Sequence, residues 1–245
     1  MSKPTESIVG YLVFNGKTFL AVIPARGGSK RLPRKNVLDL AGKPLISWTI
    51  ESAKKSKYID HCIVSTDDTE IAAISKKFNA DVLIRPCELA TDTATSIDVV
   101  IHVIESQNKK YDYVILLQPT SPLRTAHHID EAIELLFEKN ACAVISVCET
   151  DHSPLWSNTL SEDGSLYDFI RDDIKGKRSQ DLSIYYRLNG AIYIYEVKKI
   201  KSIGECPYSE DSYAYKMNIV SSVDIDTYLD FDYAEFLMLK SRCNN

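Results

Sequence analysis

Cysteine pairs, long apolar runs and an excess of positive charge are all missing from this sequence of 245 residues. Its six cysteines are scattered, and none forms the C-x-x-C pair that is typical of zinc sites and redox sites. We therefore expect reduced thiols that pack as small apolar side chains, namely Cys62, Cys87, Cys142, Cys148, Cys206 and Cys243.

No stretch approaches the roughly 18 apolar residues of a membrane-spanning helix, and the first residues lack the apolar core and cleavage site of a signal peptide. The net charge is -5, and the cations that are present concentrate around residues 26–35. That distribution argues against broad binding to nucleic acid or to membranes. These absences predict a cytoplasmic protein whose ligand is a small anion.

The phosphate-binding motifs G-x-x-x-x-G-K-[ST] and G-x-G-x-x-G are also missing, yet residues 19–36, FLAVIPARGGSKRLPRKN, have the composition of an anion-binding loop. Gly27 and Gly28 allow a close backbone approach and let amide groups converge on one point. Five cations supply positive charge: Arg26, Lys30, Arg31, Arg34 and Lys35. The pattern indicates a buried strand and a loop that binds a phosphate chain, with a solvated basic loop as the alternative.

Strand-like apolar runs alternate with helix-like periodicity along most of the chain. Pro44 fits the first turn of one helix, Asp67 and Glu70 form a possible capping box for the next, and Thr95 or Ser96 caps a third. Strands are predicted over residues 61–65, 81–84, 113–117, 143–147, 191–195 and 215–220. The alternation predicts an α/β fold, a mostly parallel sheet with helices on both faces.

The last helices and the middle of the chain divide the sequence further. Apolar spacing predicts a helix over residues 129–137 and a C-terminal helix whose apolar face consists of Leu229, Tyr233, Phe236 and Leu237. From Glu149 the alternation stops, and a polar stretch suggests an inserted subdomain or arm. The predicted division is an N-terminal extension over 1–17, a main domain over 18–148 and 186–245, and an arm over 149–185.

Polar residues follow each of the first four strands of the predicted sheet. They occupy positions 26–36, 66–68, 85–92 and 118–124. Because ligands of parallel sheets bind at the carboxyl ends of the strands, we expect these segments to open on one rim. The extension over 1–17 has a short apolar patch that ends at Asn15-Gly16, and the sequence leaves open an edge strand, an interaction tail or a cloning artefact.

Asp224 and Asp226 form a second candidate site within Ser222-Val223-Asp224-Ile225-Asp226-Thr227. In an extended segment the two carboxylates point to the same side, roughly 6 to 7 Å apart along the strand. Such a pair suits Mg²⁺, which prefers carboxylate oxygens. The alternative is that Asp226 or Thr227 simply caps the following helix. Together with the cationic loop, the pair suggests nucleotidyl transfer.

Five blocks of this chain, in order, resemble the acylneuraminate cytidylyltransferases, the CMP-sialic acid synthetases. They are ARGGSKRLPRKN, RPCELATDTATS, LLQPTSPLR, RLNGAIY and SVDIDTYLD, and they extend from about residue 19 to residue 230. The resemblance implies transfer of CMP from CTP to a nine-carbon 2-keto sugar acid, with Mg²⁺ and release of pyrophosphate. It also implies a Rossmann-like domain with a small dimerisation subdomain, and hence a homodimer that exchanges arms.

The same resemblance assigns roles to individual residues. CTP and the departing pyrophosphate would be held by Arg26, Gly27, Gly28, Ser29, Lys30, Lys35 and Asn36, and the cytidine end by Arg85 and Ser96. The sugar acid would be bound by Gln118, Arg178 or Arg187, and Asn189. Asp224 and Asp226 would hold the metal, and Asp224 or a water molecule would take the proton from the attacking hydroxyl. Arg26, Lys30 and Asp224 are thus the predicted catalytic residues.

Alternative functions remain open at this level. Trp156 stands where some sialic acid enzymes have a lysine, so legionaminate and pseudaminate are candidate substrates beside N-acetylneuraminate. A KDO cytidylyltransferase and a sugar-1-phosphate nucleotidyltransferase have related chemistry. A non-catalytic nucleotide-binding protein is a different class, against which Lys30, Asp224 and Asp226 argue.

Overall fold

A seven-stranded sheet forms the centre of the computed structural model, which describes residues 14–91 and 93–243. Its strand order is β5-β4-β1-β6-β8-β7-β9, and only β8 runs opposite to both of its neighbours. A small antiparallel hairpin joins β2 to β3. The strands are β1 (Phe19–Pro24), β2 (Asp39–Leu40), β3 (Lys43–Pro44), β4 (His61–Thr66), β5 (Asp81–Ile84), β6 (Tyr113–Leu116), β7 (Ala143–Glu149), β8 (Tyr186–Glu196) and β9 (Ser212–Met217).

Helices cover both faces of this sheet, as the alternation predicts. One core cluster packs α1, α2 and α4 against the side chains of Phe19, Ala21 and Ile23, and a second packs α3 and α5 against Leu20 and Val22. Successive residues of β1 thus point to opposite faces, and both faces are buried. The helices are α1 (Leu45–Lys55), α2 (Thr69–Lys77), α3 (Ser96–Glu105), α4 (Ala126–Glu138), α5 (Val197–Ile203) and α6 (Tyr228–Cys243).

The helix starts agree with the sequence in one case and differ in another. Thr95 caps α3 in a capping box with Asp98. The cap of α2 is Asp68, whose carboxylate accepts hydrogen bonds from the backbone N–H groups of Glu70 and Ile71. The predicted Asp67–Glu70 box is therefore wrong, because the carboxylate of Asp67 instead accepts a hydrogen bond from the N–H group of Gly27.

Two strands differ from the predicted ranges by three residues or more, and β4, β6 and β7 differ by one or two. β8 begins at Tyr186, five residues before the predicted start, because its first residues pair only with β7 and lack an apolar run. β9 covers 212–217 instead of 215–220, because residues 220–222 form a 3₁₀ turn in which Val220 is exposed. Both differences fall where strands have solvent-exposed side chains, which an apolar pattern does not detect.

The C-terminal helix α6 is present, but its buried face differs from the predicted one. Phe231, Ala234 and Met238 pack into a third cluster that includes residues of the hairpin and of α1. The predicted face of Leu229, Tyr233 and Phe236 is instead mostly exposed. The helix is apolar on both sides, so its sequence alone does not indicate which side faces the core.

Residues 150–185 connect β7 to β8 and contain two short 3₁₀ turns, 154–156 and 179–181, but no strand or α-helix. Most of their side chains are exposed, although Ile174 is buried. Asn15-Gly16 form a turn at positive φ, whereas the apolar patch before residue 14 lies outside the described residues. None of the helices in the described ranges combines the length and apolar character needed to cross a membrane.

Candidate active site

A cleft of about 530 Å³ opens at the carboxyl ends of β1, β5 and β6. It lies where the strand order reverses, between β1 and β6, which is the usual ligand position in such sheets. Three of the four segments predicted to share a rim line this cleft, and the fourth, 66–68, contacts the glycine loop beside it. Ten of the predicted site residues line the cleft: Arg26, Ser29, Lys30, Lys35, Asn36, Arg85, Ser96, Gln118, Asp224 and Asp226.

The glycine loop is held in place by the start of α2. The N–H group of Gly27 donates to Asp67 Oδ1 at 3.0 Å. A Cβ at this glycine would lie 2.7 Å from Asp68 Oδ2, so only glycine fits without displacement. Arg34, in a left-handed backbone conformation, forms ion pairs with Asp68 and Glu70. These contacts shape the loop and exclude a freely solvated basic segment.

Lys35 and Arg31 connect this loop to the aspartate segment. The Lys35 side chain is buried and donates to the carbonyl of Ile225 and, at 3.2 Å, to Asp226 Oδ1. Arg31 donates to the other carboxylate oxygen of Asp226 at 3.0 Å. Asn36, which also lines the cleft, donates to the Arg26 carbonyl at 3.1 Å and so steadies the loop. The loop and the aspartates therefore form one site.

Asp224 is the more buried of the two candidate metal ligands. Burial raises its pKa above the usual range, and the charge of Asp226 adds to the rise. Its Oδ1 atom is buried without a hydrogen-bond partner in the described part of the chain. A desolvated carboxylate oxygen beside a second carboxylate is a donor set that fits a divalent cation. Residues 14–91 and 93–243 contain no group of three or more His, Cys, Asp or Glu side chains placed to bind a metal.

The capping alternative for the aspartate segment applies to Thr227 and not to Asp226. Thr227 Oγ1 accepts a hydrogen bond from the N–H of Asp230, and Asp230 Oδ2 accepts from the N–H groups of Asp226 and Thr227. This reciprocal arrangement begins α6. It leaves the carboxylate of Asp226 directed to the two cations of the loop.

Arg85 supports the wall of the cleft that leads to α3. Its buried guanidinium donates to the carbonyls of Ser65 and Leu89, and burial lowers its pKa. Arg26 donates to the carbonyl of Thr91 at 3.2 Å in the same wall. The segment then leads into Thr95 and α3, so the N-terminus of that helix faces the cleft at Ser96.

Gly190 lies directly beneath two site residues. Its φ is +76°, and a Cβ at this position would lie 2.8 Å from Gln118 Oε1 and 3.6 Å from Asp224 Oδ2. The backbone N–H of Ile225 also donates to the Thr120 carbonyl at 2.8 Å. The aspartate segment therefore rests on β8 and on the loop after β6.

Three predicted sugar-binding residues do not line the cleft. Asn189 is buried, with its amide nitrogen donating to Ser222 Oγ at 2.9 Å and its amide oxygen accepting from Ser146 Oγ at 2.6 Å. Arg178 lies in the connection after β7 and pairs with Asp181. Arg187 is exposed, yet its charge lowers the pKa of Asp224, so it lies near the aspartate side of the cleft.

Arg124 is a supporting residue that the sequence reasoning missed. It is 1% exposed and donates to the carbonyls of Gln118 and Ala191 at 3.2 and 3.0 Å. Burial lowers its pKa to about 9, so the guanidinium is still charged at neutral pH. Its guanidinium thus connects the loop after β6 to β8, next to Gly190. The only signal in the sequence is its position at the end of the block LLQPTSPLR.

Cations and two carboxylates at the switch point of a mostly parallel sheet are the arrangement expected of a nucleotidyltransferase-type α/β protein. Residues 20–242 match the family model described as Cytidylyltransferase, and the chain belongs to that family.

Relatives with named activities agree with the resemblance found in the motifs. The chain is 40% identical to a CMP-N,N'-diacetyllegionaminic acid synthase of Legionella pneumophila over 89% of this chain and 95% of the relative. It is 35% identical to a pseudaminic acid cytidylyltransferase of Campylobacter jejuni over 89% and 95%. It is 39% identical to an N-acylneuraminate cytidylyltransferase of Escherichia coli over 88% of this chain, which spans about half of that relative.

Solved structures share the fold at low sequence identity. A CMP:2-keto-3-deoxy-manno-octonic acid synthetase complexed with CTP has a TM-score of 0.71 at 20% identity, covering 91% of this chain and 99% of the other. A 4-diphosphocytidyl-2C-methyl-D-erythritol synthase from Anaerococcus prevotii has a TM-score of 0.64 at 15% identity, covering 92% and 97%. At such identities the likeness supports the fold alone.

Proposed function

We propose that this chain transfers CMP from CTP to the anomeric hydroxyl of a nine-carbon 2-keto sugar acid and releases pyrophosphate. The observation that carries the proposal is the single cleft in which Lys30, Asp224 and Asp226 meet, in a chain that belongs to the cytidylyltransferases. Relatives that are named for legionaminic, pseudaminic and N-acylneuraminic acids support this class of acceptor over an eight-carbon acid.

The cations of the loop would bind the triphosphate. Lys30, Arg26 and Ser29 line the cleft next to Gly28, whose α-carbon faces open space, so a phosphate can approach the backbone there. Lys35 would act differently, because its ammonium group already bonds the aspartate segment and keeps the two halves of the site together. The loop thus neutralises the leaving pyrophosphate and fixes its position.

Asp224 and Asp226 would hold Mg²⁺, which when bound stabilises negative charge on the phosphoryl oxygens. Asp224, which lines the cleft, or a water molecule would accept the proton of the attacking hydroxyl. Gln118, above Gly190, would orient the sugar acid, and Arg187 is better placed than Arg178 to bind its carboxylate. The anomeric hydroxyl of the acid would then attack the α-phosphorus of CTP in line with the departing pyrophosphate.

Association into a homodimer through the connection after β7 belongs to the same proposal. Leu160, Leu166 and Tyr167 in this segment are largely exposed, which is unusual for apolar side chains without a partner surface. A cytoplasmic location is proposed with it, since the cysteines with described side chains are free thiols.

The test is release of pyrophosphate from CTP in the presence of Mg²⁺ and each of four acids: N-acetylneuraminate, a legionaminate, a pseudaminate and KDO. We expect acid-dependent release and a CMP-sugar product by mass spectrometry with one of the nine-carbon acids. Asp226→Asn should reduce turnover by roughly 10²–10³-fold without unfolding the protein. Preference for KDO would show that the acceptor is an eight-carbon acid and not a nine-carbon one. CTP binding without turnover on any acid would favour the non-catalytic alternative.

A further inference from the structure

The outer face of α6 has an apolar surface that the proposed function does not use. Phe236 is at its centre and is 56% exposed, and Leu229, one end of the surface, is 78% exposed. Tyr233 lies between them, while Tyr228 and Leu239 flank the strip, and both are about half or more exposed. At 100° per residue these side chains fall on the side of the helix opposite Phe231, Ala234 and Met238.

The size of this surface is large for a helix that faces only water. Three aromatic and two leucine side chains with such exposure provide on the order of 400–500 Å² of apolar area. The largest apolar patch on a typical monomer is roughly 300–600 Å² and is often functional. A stable interface buries about 800 Å² per partner, so this face is suited to one part of a larger contact between proteins.

Two charges on the same strip indicate what the partner is. Asp232 and Lys240 are both exposed, and each lies four residues from Phe236 on opposite sides of it. In the described part of the chain neither has an ion-pair partner, and the Lys240 ammonium lies 5.7 Å from the centroid of the Phe236 ring. An antiparallel copy of the same helix, crossing at Phe236, would bring Asp232 next to the partner's Lys240, and Lys240 next to the partner's Asp232.

We propose that α6 pairs with α6 of a second copy of this chain, antiparallel, about a two-fold axis at Phe236. In such an isologous contact a residue before position 236 meets the partner residue that lies equally far after it. Phe236 therefore meets the partner's Phe236, and Tyr233 meets the partner's Leu239. The pair of Asp232 with the partner's Lys240 is formed twice by symmetry and fixes the register, whereas a parallel pairing places like charges together. This contact is separate from the one through the connection after β7 and is independent of the proposed function.

The test is sedimentation velocity of the full chain over a wide range of concentration. Phe236→Asp should abolish the α6 contact, and Asp232→Lys or Lys240→Asp should each weaken the self-association constant roughly tenfold, because two ion pairs become two repulsive pairs. The double variant with both charges exchanged should recover wild-type association to within about threefold. Lys198→Asp and Glu210→Lys, which change exposed charges elsewhere, serve as controls for net charge.

Each possible result decides the proposal, provided that circular dichroism confirms folding of the variants. A double variant no better than either single one would overturn the antiparallel register. Unchanged association of Phe236→Asp would overturn the contact itself. A wild-type chain that is monomeric at every concentration, with Phe236→Asp lowering its thermal stability, would mean that the chain covers this face with its own residues, and would also overturn it.

Discussion

Asp224 combines a place in the cleft with an energetic cost to the fold. Burial raises its pKa, so the folded state favours the protonated form. The stability that this preference contributes is present in acid, below the unfolded pKa, and is lost as the pH rises through the folded pKa. Above the folded pKa the ionised carboxylate is therefore desolvated at the expense of stability.

For Asp224→Asn we expect turnover to fall by roughly 10²–10³-fold, whereas the melting temperature at neutral pH in metal-free buffer stays the same or rises. Thermal denaturation followed at several pH values would check the second part. The advantage of the variant should disappear in acid, where the wild-type carboxyl is protonated too. A variant that is less stable than wild type at neutral pH would contradict this account of the pKa.

Gly190 is needed at its position for two reasons that can be separated. Its positive φ penalises any side chain, and the space above it is filled by Gln118 and Asp224. Gly204 has nearly the same φ, +72°, but a Cβ there would meet nothing within 4 Å. Gly190 lies within β8 and Gly204 ends α5, but at a similar φ only Gly190 contacts the site, so Gly204 serves as its control.

We expect Gly190→Ala and Gly204→Ala each to lower the free energy of unfolding by about 1–2 kcal/mol. Only Gly190→Ala should also reduce kcat, roughly tenfold or more, because Gln118 and Asp224 must shift. Denaturant titrations and steady-state kinetics of both variants would test this. Equal kinetic effects in the two variants would show that Gly190 acts through backbone strain alone.

At the scale of elements, Asn189 joins three parts of the sheet region behind the site. Its amide bonds Ser146 in β7 and Ser222, which is two residues before Asp224. Both hydroxyl groups are buried. Asn189 was predicted to bind the sugar acid, but in the structure its hydrogen-bonding groups are used within the core, so its effect on the reaction would be indirect.

Ser222→Ala and Ser146→Ala should each cost about 1–2 kcal/mol of stability, because each leaves part of a buried amide unsatisfied. Of the two variants, only Ser222→Ala should raise the Mg²⁺ concentration needed for half-maximal activity. Ser222 belongs to the aspartate segment, whereas Ser146 lies in β7. A magnesium titration of both variants would measure the difference. The same shift in Ser146→Ala would mean that the whole network, not Ser222, sets the position of Asp224.

At the scale of the molecule, two of the exposed apolar surfaces in the described ranges bear on assembly. One is the connection over 150–185 with Leu166 and Tyr167, and the other is the outer face of α6. They lie on different elements, so an assembly that uses both has two separable contacts. The predicted division into a main domain and an arm stays a prediction, because the arm's boundaries depend on that assembly.

Replacing Leu166 and Tyr167 by serine should weaken self-association without affecting folding, since both side chains are exposed in the single chain. Combined with Phe236→Asp, the substitutions should yield a monomer, whereas either change alone should leave one contact intact. Light scattering of the three variants would distinguish these states. A monomer from the serine variant alone would assign all association to the connection.

The sequence alone determined most of the strands and helices, although not the β2–β3 hairpin or α5, together with the common rim and many of the residues that line the cleft. It could do so because these features depend on local periodicity and on the rule that parallel strands end on one side. Gly27, Lys30 and Asp226 were found from residue type and spacing. A close backbone approach needs glycine, an anionic ligand needs a cation and a metal needs a carboxylate, whatever the surrounding fold.

Only the tertiary structure decided which polar residues face the cleft and which support it. Asn189, Arg124 and Lys35 differ in this respect although all three are polar and buried, because their partners come from distant segments of the chain. The same holds for α6, whose two apolar faces are equivalent in sequence. One is buried because the hairpin and α1 pack against it, and packing between distant segments is not encoded in local pattern.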